Sequence, residues 1–237
     1  MPPTPFDELS ASYHELLRDP LRDRFTGQDS IFFHRRKSDL IRRFFRRRNI
    51  PTAGLRHLDL GCGKGELLTL LRGDFAYSAG CDVSADMMRQ ITGIETRVQT
   101  DPLKIPFEDA TFDLVTAVCV YHHVDPAARP LLTREIRRVL KPGAIWCMIE
   151  HNPLNPMTRW IVGRTPVDAG AVLLGAAESR SVAEGAGFQS IEQDYFLYFP
   201  QALYRSCGWL EGWLAKLPLG GQYALFSAGP EKSKEDL

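Results

Sequence analysis

The chain has 237 residues, of which 44% are hydrophobic and 24% charged, a balance typical of a globular protein that buries its own core. Its 29 basic and 29 acidic side chains cancel. The net charge therefore provides no attraction to nucleic acid or to an anionic membrane surface, and we expect neither as a partner.

Cysteine usage and the first residues bear on the compartment. The five cysteines form no CxxC pair, which argues against a zinc motif and favours reduced thiols. The opening MPPTPFDELS lacks the basic and apolar parts of a signal peptide, and no apolar run is long enough to span a bilayer. We therefore expect a cytoplasmic protein without stable membrane insertion.

Residues 1–53 are polar and helical in pattern, and they predict a helical cap or lid. An amphipathic helix is expected at 30–49, and its other face is rich in arginine. Such a face suits RNA or membrane lipid, but acids interspersed elsewhere favour a solvated face. The apolar positions are Ile31, Leu40, Ile41, Phe44 and Phe45, and the basic ones are Arg42, Arg43, Arg46, Arg47 and Arg48.

Residues 54–230 alternate short apolar runs with helical segments, which predicts βαβ units in one domain. The expected fold is α/β, a Rossmann-like, doubly wound, mostly parallel seven-stranded sheet with a helical insertion before the last strand. Residues 231–237 are expected to be a flexible tail. Strands are predicted at 55–60, 77–82, 96–99, 112–118, 144–150, 187–195 and 223–228, helices at 64–71, 85–90, 126–140 and 178–186, and the insertion at 200–217.

A glycine loop follows the first predicted strand, in the sequence DLGCGKG that starts at Asp59. Glycines there permit positive φ and let a ligand approach the backbone closely. Asp82 ends the next strand, where an acid that binds a ribose belongs. The spacing GxGxG differs from the GxGxxG of dinucleotide sites, and Asp59 would repel a pyrophosphate but attract a cationic amino-acid group. This pattern argues against a dinucleotide.

Several motifs follow in order over residues 55–150, namely HLDLGCGKG, GCDVSADMM, QTDPLKIPFEDATFDLV, VCVYHHV and REIRRVLKPGA. This series resembles the class I S-adenosylmethionine-dependent methyltransferases of the small-molecule, bacterial type. The resemblance implies S-adenosyl-L-methionine as cofactor and methyl transfer as the activity. Two departures are Lys64, where the family often has a small residue, and Ala144, where it often has glycine.

The resemblance also implies which residues bind the donor. The glycine-loop backbone would contact its methionine part, Asp82 the ribose, and Asp101 the exocyclic amine of the adenine. Lys37 would meet the donor's carboxylate. Taken singly, Asp82 and Asp101 are also plain strand-end and turn acids. The full implied set is Asp59, Gly61, Cys62, Gly63, Asp82, Val83, Met87, Asp101, Pro102, Val118, Tyr13 and Lys37.

Three histidines mark the predicted acceptor side. His122 and His123 follow the fourth strand and His151 follows the fifth, so all are expected at the ligand-binding edge of the sheet. A histidine there can act as general base for a hydroxyl acceptor, although packing or capping roles are also open. Because no carboxylate has matching spacing, no metal is expected.

The sequence thus predicts transfer of a methyl group to a small organic acceptor, with a hydroxyl as the first expectation. Aromatic side chains between Tyr195 and Trp213 could shape an apolar acceptor site. The alternatives are an N- or C-methyltransferase of a small molecule, a protein or RNA methyltransferase, and a non-catalytic protein that binds S-adenosylmethionine. No oligomeric state is predicted.

Overall fold

The computed structural model describes residues 30–231 and confirms the predicted sheet. Its strands are β1 (Arg56–Leu60), β2 (Tyr77–Asp82), β3 (Glu95–Val98), β4 (Phe112–Val118), β5 (Leu140–His151), β6 (Gln189–Phe196) and β7 (Gln222–Ala228). The helices are α1 (Ser30–Arg47), α2 (Glu66–Leu71), α3 (Ala85–Met88), α4 (Arg129–Val139), α5 (Pro156–Val162), α6 (Ala176–Gly185), α7 (Gln201–Cys207) and α8 (Glu211–Leu214). Short 3-10 turns lie at Tyr121–His123, Pro166–Asp168 and Gly208–Leu210.

The strand order is β3-β2-β1-β4-β5-β7-β6. The pairs from β3 to β5 are parallel, whereas β7 runs antiparallel to both β5 and β6. The order reverses direction between β1 and β4, which creates a crevice beyond the carboxyl ends of these strands. The helical insertion α7–α8 lies between β6 and β7, as predicted.

Several element ends differ from the sequence prediction, each for a local reason. The strand β5 begins at Leu140 rather than at 144, because Leu140 pairs with Phe112 of β4. The helix α2 begins at Glu66 because the preceding Gly65 has a φ of 77°, outside the helical region.

The helix α1 packs on one face of the sheet. Its residues Ile41, Phe44 and Phe45 are buried, and the ring of Phe44 stacks on Phe226 of β7 with centroids 4.0 Å apart. Alternate residues of β5 point to opposite faces of the sheet. Cys147 packs in the same apolar cluster as Phe44, whereas its neighbours Trp146 and Met148 belong to the cluster on the other face. The α1 helix is therefore part of the main core.

The basic face of α1 is used within the chain. Arg42 donates to Asp74 at 2.8 Å, Arg43 to Asp194 at 3.1 Å and Arg48 to Glu192 at 2.7 Å. Acids from distant segments lie against these three arginines, which remain partly exposed, so this face is both ion-paired and in contact with solvent. Among residues 30–231, no helix combines the length and apolar character needed to cross a membrane.

Candidate functional site

A cavity of about 790 Å³ opens at the carboxyl ends of the parallel strands. Its volume lies in the upper part of the range for small-molecule sites, about 300–1,000 Å³. The walls come from the segments that follow β1, β2, β4 and β5, from α1 and α5, and from the segment after β6. The glycine loop and the three predicted histidines line this same cavity.

The glycine loop bends through three left-handed glycines, Gly61, Gly63 and Gly65. Gly61 has a φ of 68° and packs so closely on Val120 that a Cβ atom would lie 2.5 Å from Val120 Cγ2. Gly63 has a φ of 53°, and a Cβ there would meet no atom within 4 Å. Since Gly63 lines the cavity, that open space is available to a ligand resting on the loop backbone.

Asp82 lies at the end of β2 with its carboxylate at the cavity wall. Its Oδ2 accepts from the Gly63 amide at 2.8 Å and its Oδ1 from the Ser84 amide at 2.9 Å. Ser84 caps α3 by accepting from the Met87 amide, which places Met87 in the wall. The second strand and the glycine loop are thus fixed to each other at the predicted ribose position.

Asp59 is 3% exposed and accepts from the Thr116 hydroxyl at 2.6 Å. Burial raises the pKa of Asp59 to about 7, although the Thr116 bond and the Lys37 charge act in the opposite direction. A cationic group in the adjoining cavity would stabilise the ionised form of this carboxylate.

Lys37 brings a buried positive charge from α1 into the cavity wall, where it is 6% exposed. Its Nζ lies 3.9 Å from Cys119 Sγ, and no carboxylate of residues 30–231 lies within 4.0 Å of it. A buried cation is costly without an anionic partner. The site therefore suits a ligand with a carboxylate.

The adenine side differs in part from the prediction. Pro102, Val83 and Val118 line the cavity, but Asp101 does not. Asp101 is exposed, and its Oδ1 accepts from the Leu103 amide at 2.9 Å, so its carboxylate serves a local turn. Gln99, two residues earlier, does line the cavity. Tyr13 lies outside the described residues.

The three histidines meet at the other end of the cavity. The ring centroid of His122 lies 4.1 Å from that of His123 and 5.1 Å from that of His151. The 3-10 turn after β4 carries the first two, and β5 ends on the third. Parallel neighbouring strands explain why residues far apart in sequence converge here.

Two carboxylates that the sequence analysis missed flank His122. His122 Nδ1 donates to Glu150 Oε2 at 2.6 Å, and Glu150 Oε1 accepts from the Tyr121 amide at 2.7 Å. On the other side, Asp168 Oδ1 lies 3.4 Å from His122 Nε2 and 3.7 Å from His123 Nε2. A lone acid in the buried run AIWCMIE was a signal for Glu150, but no local pattern marks Asp168.

These neighbours separate the pKa values of the histidines. Burial alone would lower the pKa of His122, but Glu150 and Asp168 outweigh it and raise that pKa to about 10. Burial, and then the His122 charge, lower the pKa values of His123 and His151 to about 4 each. At neutral pH His122 is therefore charged, whereas His123 and His151 are neutral.

His122, His123 and Asp168 each offer a ligand atom, and these atoms all lie within 4.8 Å of one another. The reason for expecting no metal was the lack of a suitably spaced carboxylate. That premise does not hold in three dimensions, because the 3-10 turn at Pro166–Asp168 brings Asp168 against both histidines.

The HNPLNP segment builds the wall beside His151. The Asn152 side chain donates to the carbonyls of Pro218 and Gly220 at 3.0 and 2.8 Å. Asn155 caps α5, with its Oδ1 accepting from the Thr158 amide at 3.0 Å. Thr158 and other residues of α5 consequently face the cavity.

Only part of the aromatic stretch reaches the cavity. Tyr198 and Phe199 line it, whereas Phe196 belongs to the core. Trp209 is 70% exposed and is absent from the lining. An aromatic stretch therefore does not by itself identify the acceptor wall.

A family model described as a methyltransferase domain matches residues 58–148. The 2-phytyl-1,4-naphtoquinone methyltransferase of Nostoc punctiforme is 35% identical over 115 residues, 43% of this chain and 49% of the relative. The enzyme of that name from Synechococcus elongatus is 31% identical over 153 residues, 59% of this chain and 63% of the relative. This chain thus spans less than two thirds of the length of these curated relatives.

A solved structure of a SAM-dependent methyltransferase from Archaeoglobus fulgidus matches with a TM-score of 0.59 at 20% identity. The match covers 84% of this chain and 100% of that chain. At this identity the likeness concerns the fold alone.

Proposed function

Because this chain carries a class I S-adenosylmethionine-dependent methyltransferase domain, we propose that it transfers the donor's methyl group to an oxygen atom of a small organic acceptor. The observation that carries the proposal is one continuous cavity with the glycine loop and Asp82 at one end and neutral histidines at the other.

The donor is assigned to the end built by β1 and β2. Asp82 accepts hydrogen bonds from the ribose hydroxyls of the donor. The backbone of Gly61, Cys62 and Gly63 contacts the methionine part of the donor. Lys37 pairs with the donor carboxylate, and Asp59 attracts the ammonium group, since each is a buried charge at the cavity wall. Val83, Met87, Pro102 and Val118 supply apolar contacts, and Gln99 replaces Asp101 in this set.

When bound, the donor supplies a methyl group already activated on a sulfonium, so the chain mainly positions two molecules and excludes water. The remaining task is to take the proton of the acceptor hydroxyl. His122 already holds its proton and suits a positioning role. His151 is neutral, because burial and the charges of His122 and Lys37 lower its pKa, so its ring can accept a proton. We assign His151 as the base, with His123 beside it.

The acceptor is assigned to the space between the histidines and the wall formed by α5 and Tyr198. A phenolic hydroxyl fits this combination of a base and apolar walls. Loss of its proton makes both the oxygen and the neighbouring ring carbon nucleophilic. Transfer to carbon is therefore the second candidate. The two relatives named for a naphthoquinone support an acceptor with such a ring system.

The test combines methyl-labelled S-adenosylmethionine with a panel of phenols, catechols and hydroquinones, and it identifies the product by mass and by the position of the label. We expect label on oxygen in at least one acceptor. His151→Gln should lower kcat by about 10²-fold or more, as loss of a general base does. Asp101→Asn, outside the cavity, should retain wild-type kcat.

Two results would contradict the proposal. Label found only in added tRNA or protein would replace the small acceptor by a macromolecule. An unchanged kcat in His151→Gln would remove the assigned base.

A further inference from the structure

We infer that His122, His123 and Asp168 form a site for a divalent transition-metal ion, which holds the acceptor's oxygen beside the methyl donor. The ion's role in catalysis rests on the proposed function, whereas its binding does not.

The spacing of the ligand atoms fits such an ion. Tetrahedral zinc with bonds of about 2.0–2.1 Å separates its ligands by about 3.4 Å. Asp168 Oδ1 lies 3.4 Å from His122 Nε2 and 3.7 Å from His123 Nε2. Both distances lie within a few tenths of an ångström of that separation, and all three ligand atoms lie within 4.8 Å of one another.

His122 gives a second, independent indication. Its ring is almost fully buried at the cavity wall, and Nε2 makes no hydrogen bond of good geometry, since its nearest acceptor, Asp168 Oδ1, lies 3.4 Å away. Its Nδ1 donates to Glu150 at 2.6 Å. This carboxylate–histidine arrangement orients a metal-binding ring nitrogen and raises its basicity.

The charges also favour a divalent cation. Glu150 and Asp168 bring two carboxylates to the cluster of His122, His123 and His151. A divalent ion with neutral imidazoles cancels both negative charges. Two imidazoles and one carboxylate are also a ligand set that binds first-row transition metals with positions left open.

The open positions face the cavity, which defines the ligand class. A hydroxyl oxygen bound to the ion loses its proton more readily, because the cation stabilises the anion that forms. The proton passes to the His151 imidazole, whose ring lies 5.1 Å from that of His122, and the oxygen keeps the electron pair. Acceptors with a hydroxyl, or with two neighbouring oxygens that can both reach the ion, are therefore favoured.

The test is a titration of chelator-treated, full-length protein with Co²⁺, followed by visible absorbance and by competition with Zn²⁺, without any donor. A pH of about 8 is suitable because the ion competes with a proton for His122. We expect one saturable site per chain. Asp168→Asn and His123→Gln should weaken Co²⁺ binding at least tenfold, and Glu150→Gln about 10–100-fold.

Matched controls are Asp101→Asn and His34→Gln, which remove a carboxylate and an imidazole outside the proposed ligand set. Both should bind Co²⁺ as the wild type does, and thermal melting checks that every variant is folded. Absence of saturable binding to the wild type would overturn the inference, as would wild-type affinity in folded Asp168→Asn. Donor-product binding by the chelated protein would then show that the proposed function stands without the metal.

Discussion

At the scale of single residues, a short polar chain crosses the buried strands beneath the cavity. The Thr116 hydroxyl donates to Asp59 at 2.6 Å, so its oxygen accepts from His57 Nε2 at 2.9 Å. All three residues are buried. These two hydrogen bonds hold the Asp59 carboxylate at the cavity wall and the neutral His57 ring in the core.

His57 gives a pH-dependent stability with a definite sign. Burial lowers the pKa of His57 from 6.5 to about 3. A base whose pKa is lowered by folding contributes stability that is full above the unfolded value of 6.5 and is lost as pH falls towards 3. From neutral pH to about pH 5, the free energy of unfolding should fall by about 2 kcal/mol from this group.

Urea unfolding of wild type and His57→Gln at both pH values measures this effect. The amide of glutamine can still donate to Thr116 but does not titrate in this range. The difference between the two pH values should therefore shrink in His57→Gln. An equal loss of stability in both proteins would show that other groups cause it.

Residues whose role depends on their own strand, loop or helix could be predicted from the sequence. Residues whose role depends on contacts between distant segments could not. The left-handed glycines and Asp82 follow from one strand–loop–helix pattern, so the sequence places them at the cavity. Asp101 does not line the cavity, and its carboxylate binds the Leu103 amide of its own turn. Glu150 and Asp168 matter because distant segments bring them to His122, which no spacing in the sequence encodes.

At the scale of elements, the HNPLNP segment turns the chain from β5 into α5. Asn155 caps the helix through Thr158, and its side-chain amide also donates to the Leu219 carbonyl at 2.7 Å. Because residues of α5 line the cavity, its first turn connects local stability with the shape of the cavity.

The cap can be tested with two substitutions at one position. Asn155→Ala loses both contacts and should lower the free energy of unfolding by about 1–2 kcal/mol. Asn155→Asp keeps the cap and loses only the bond to Leu219, so it should cost less. Chemical denaturation of the two variants measures the difference, and equal losses would show that the cap contributes little.

The interior of each element followed from hydrophobic periodicity, but several ends did not. Short apolar runs placed every strand of the sheet. The start of β5 depends on a partner in β4, and the start of α2 on a left-handed glycine. Pairings and backbone conformations of this kind are set by the assembled fold rather than by periodicity.

At the scale of the whole molecule, the topology explains why one cavity has two ends. Reversal of the strand order between β1 and β4 separates the glycine loop from the histidine turn, yet leaves both at the same edge of the sheet. Phe44 and the ion-paired arginines hold the helix α1 on the sheet. The same packing places Lys37, on α1, in the wall of the cavity. Both ends of the cavity are therefore built on one sheet.

Calorimetric titration of the full chain with S-adenosylhomocysteine tests the central claim most directly. We predict one binding site per chain and a loss of affinity of about ten- to hundredfold in Asp82→Ala, since hydrogen bonds to a charged group contribute about 1.5–3 kcal/mol. Asp101→Ala should bind as the wild type does. Absence of binding to the wild type, or equal affinities of Asp82→Ala and Asp101→Ala, would contradict the assignment of the donor site.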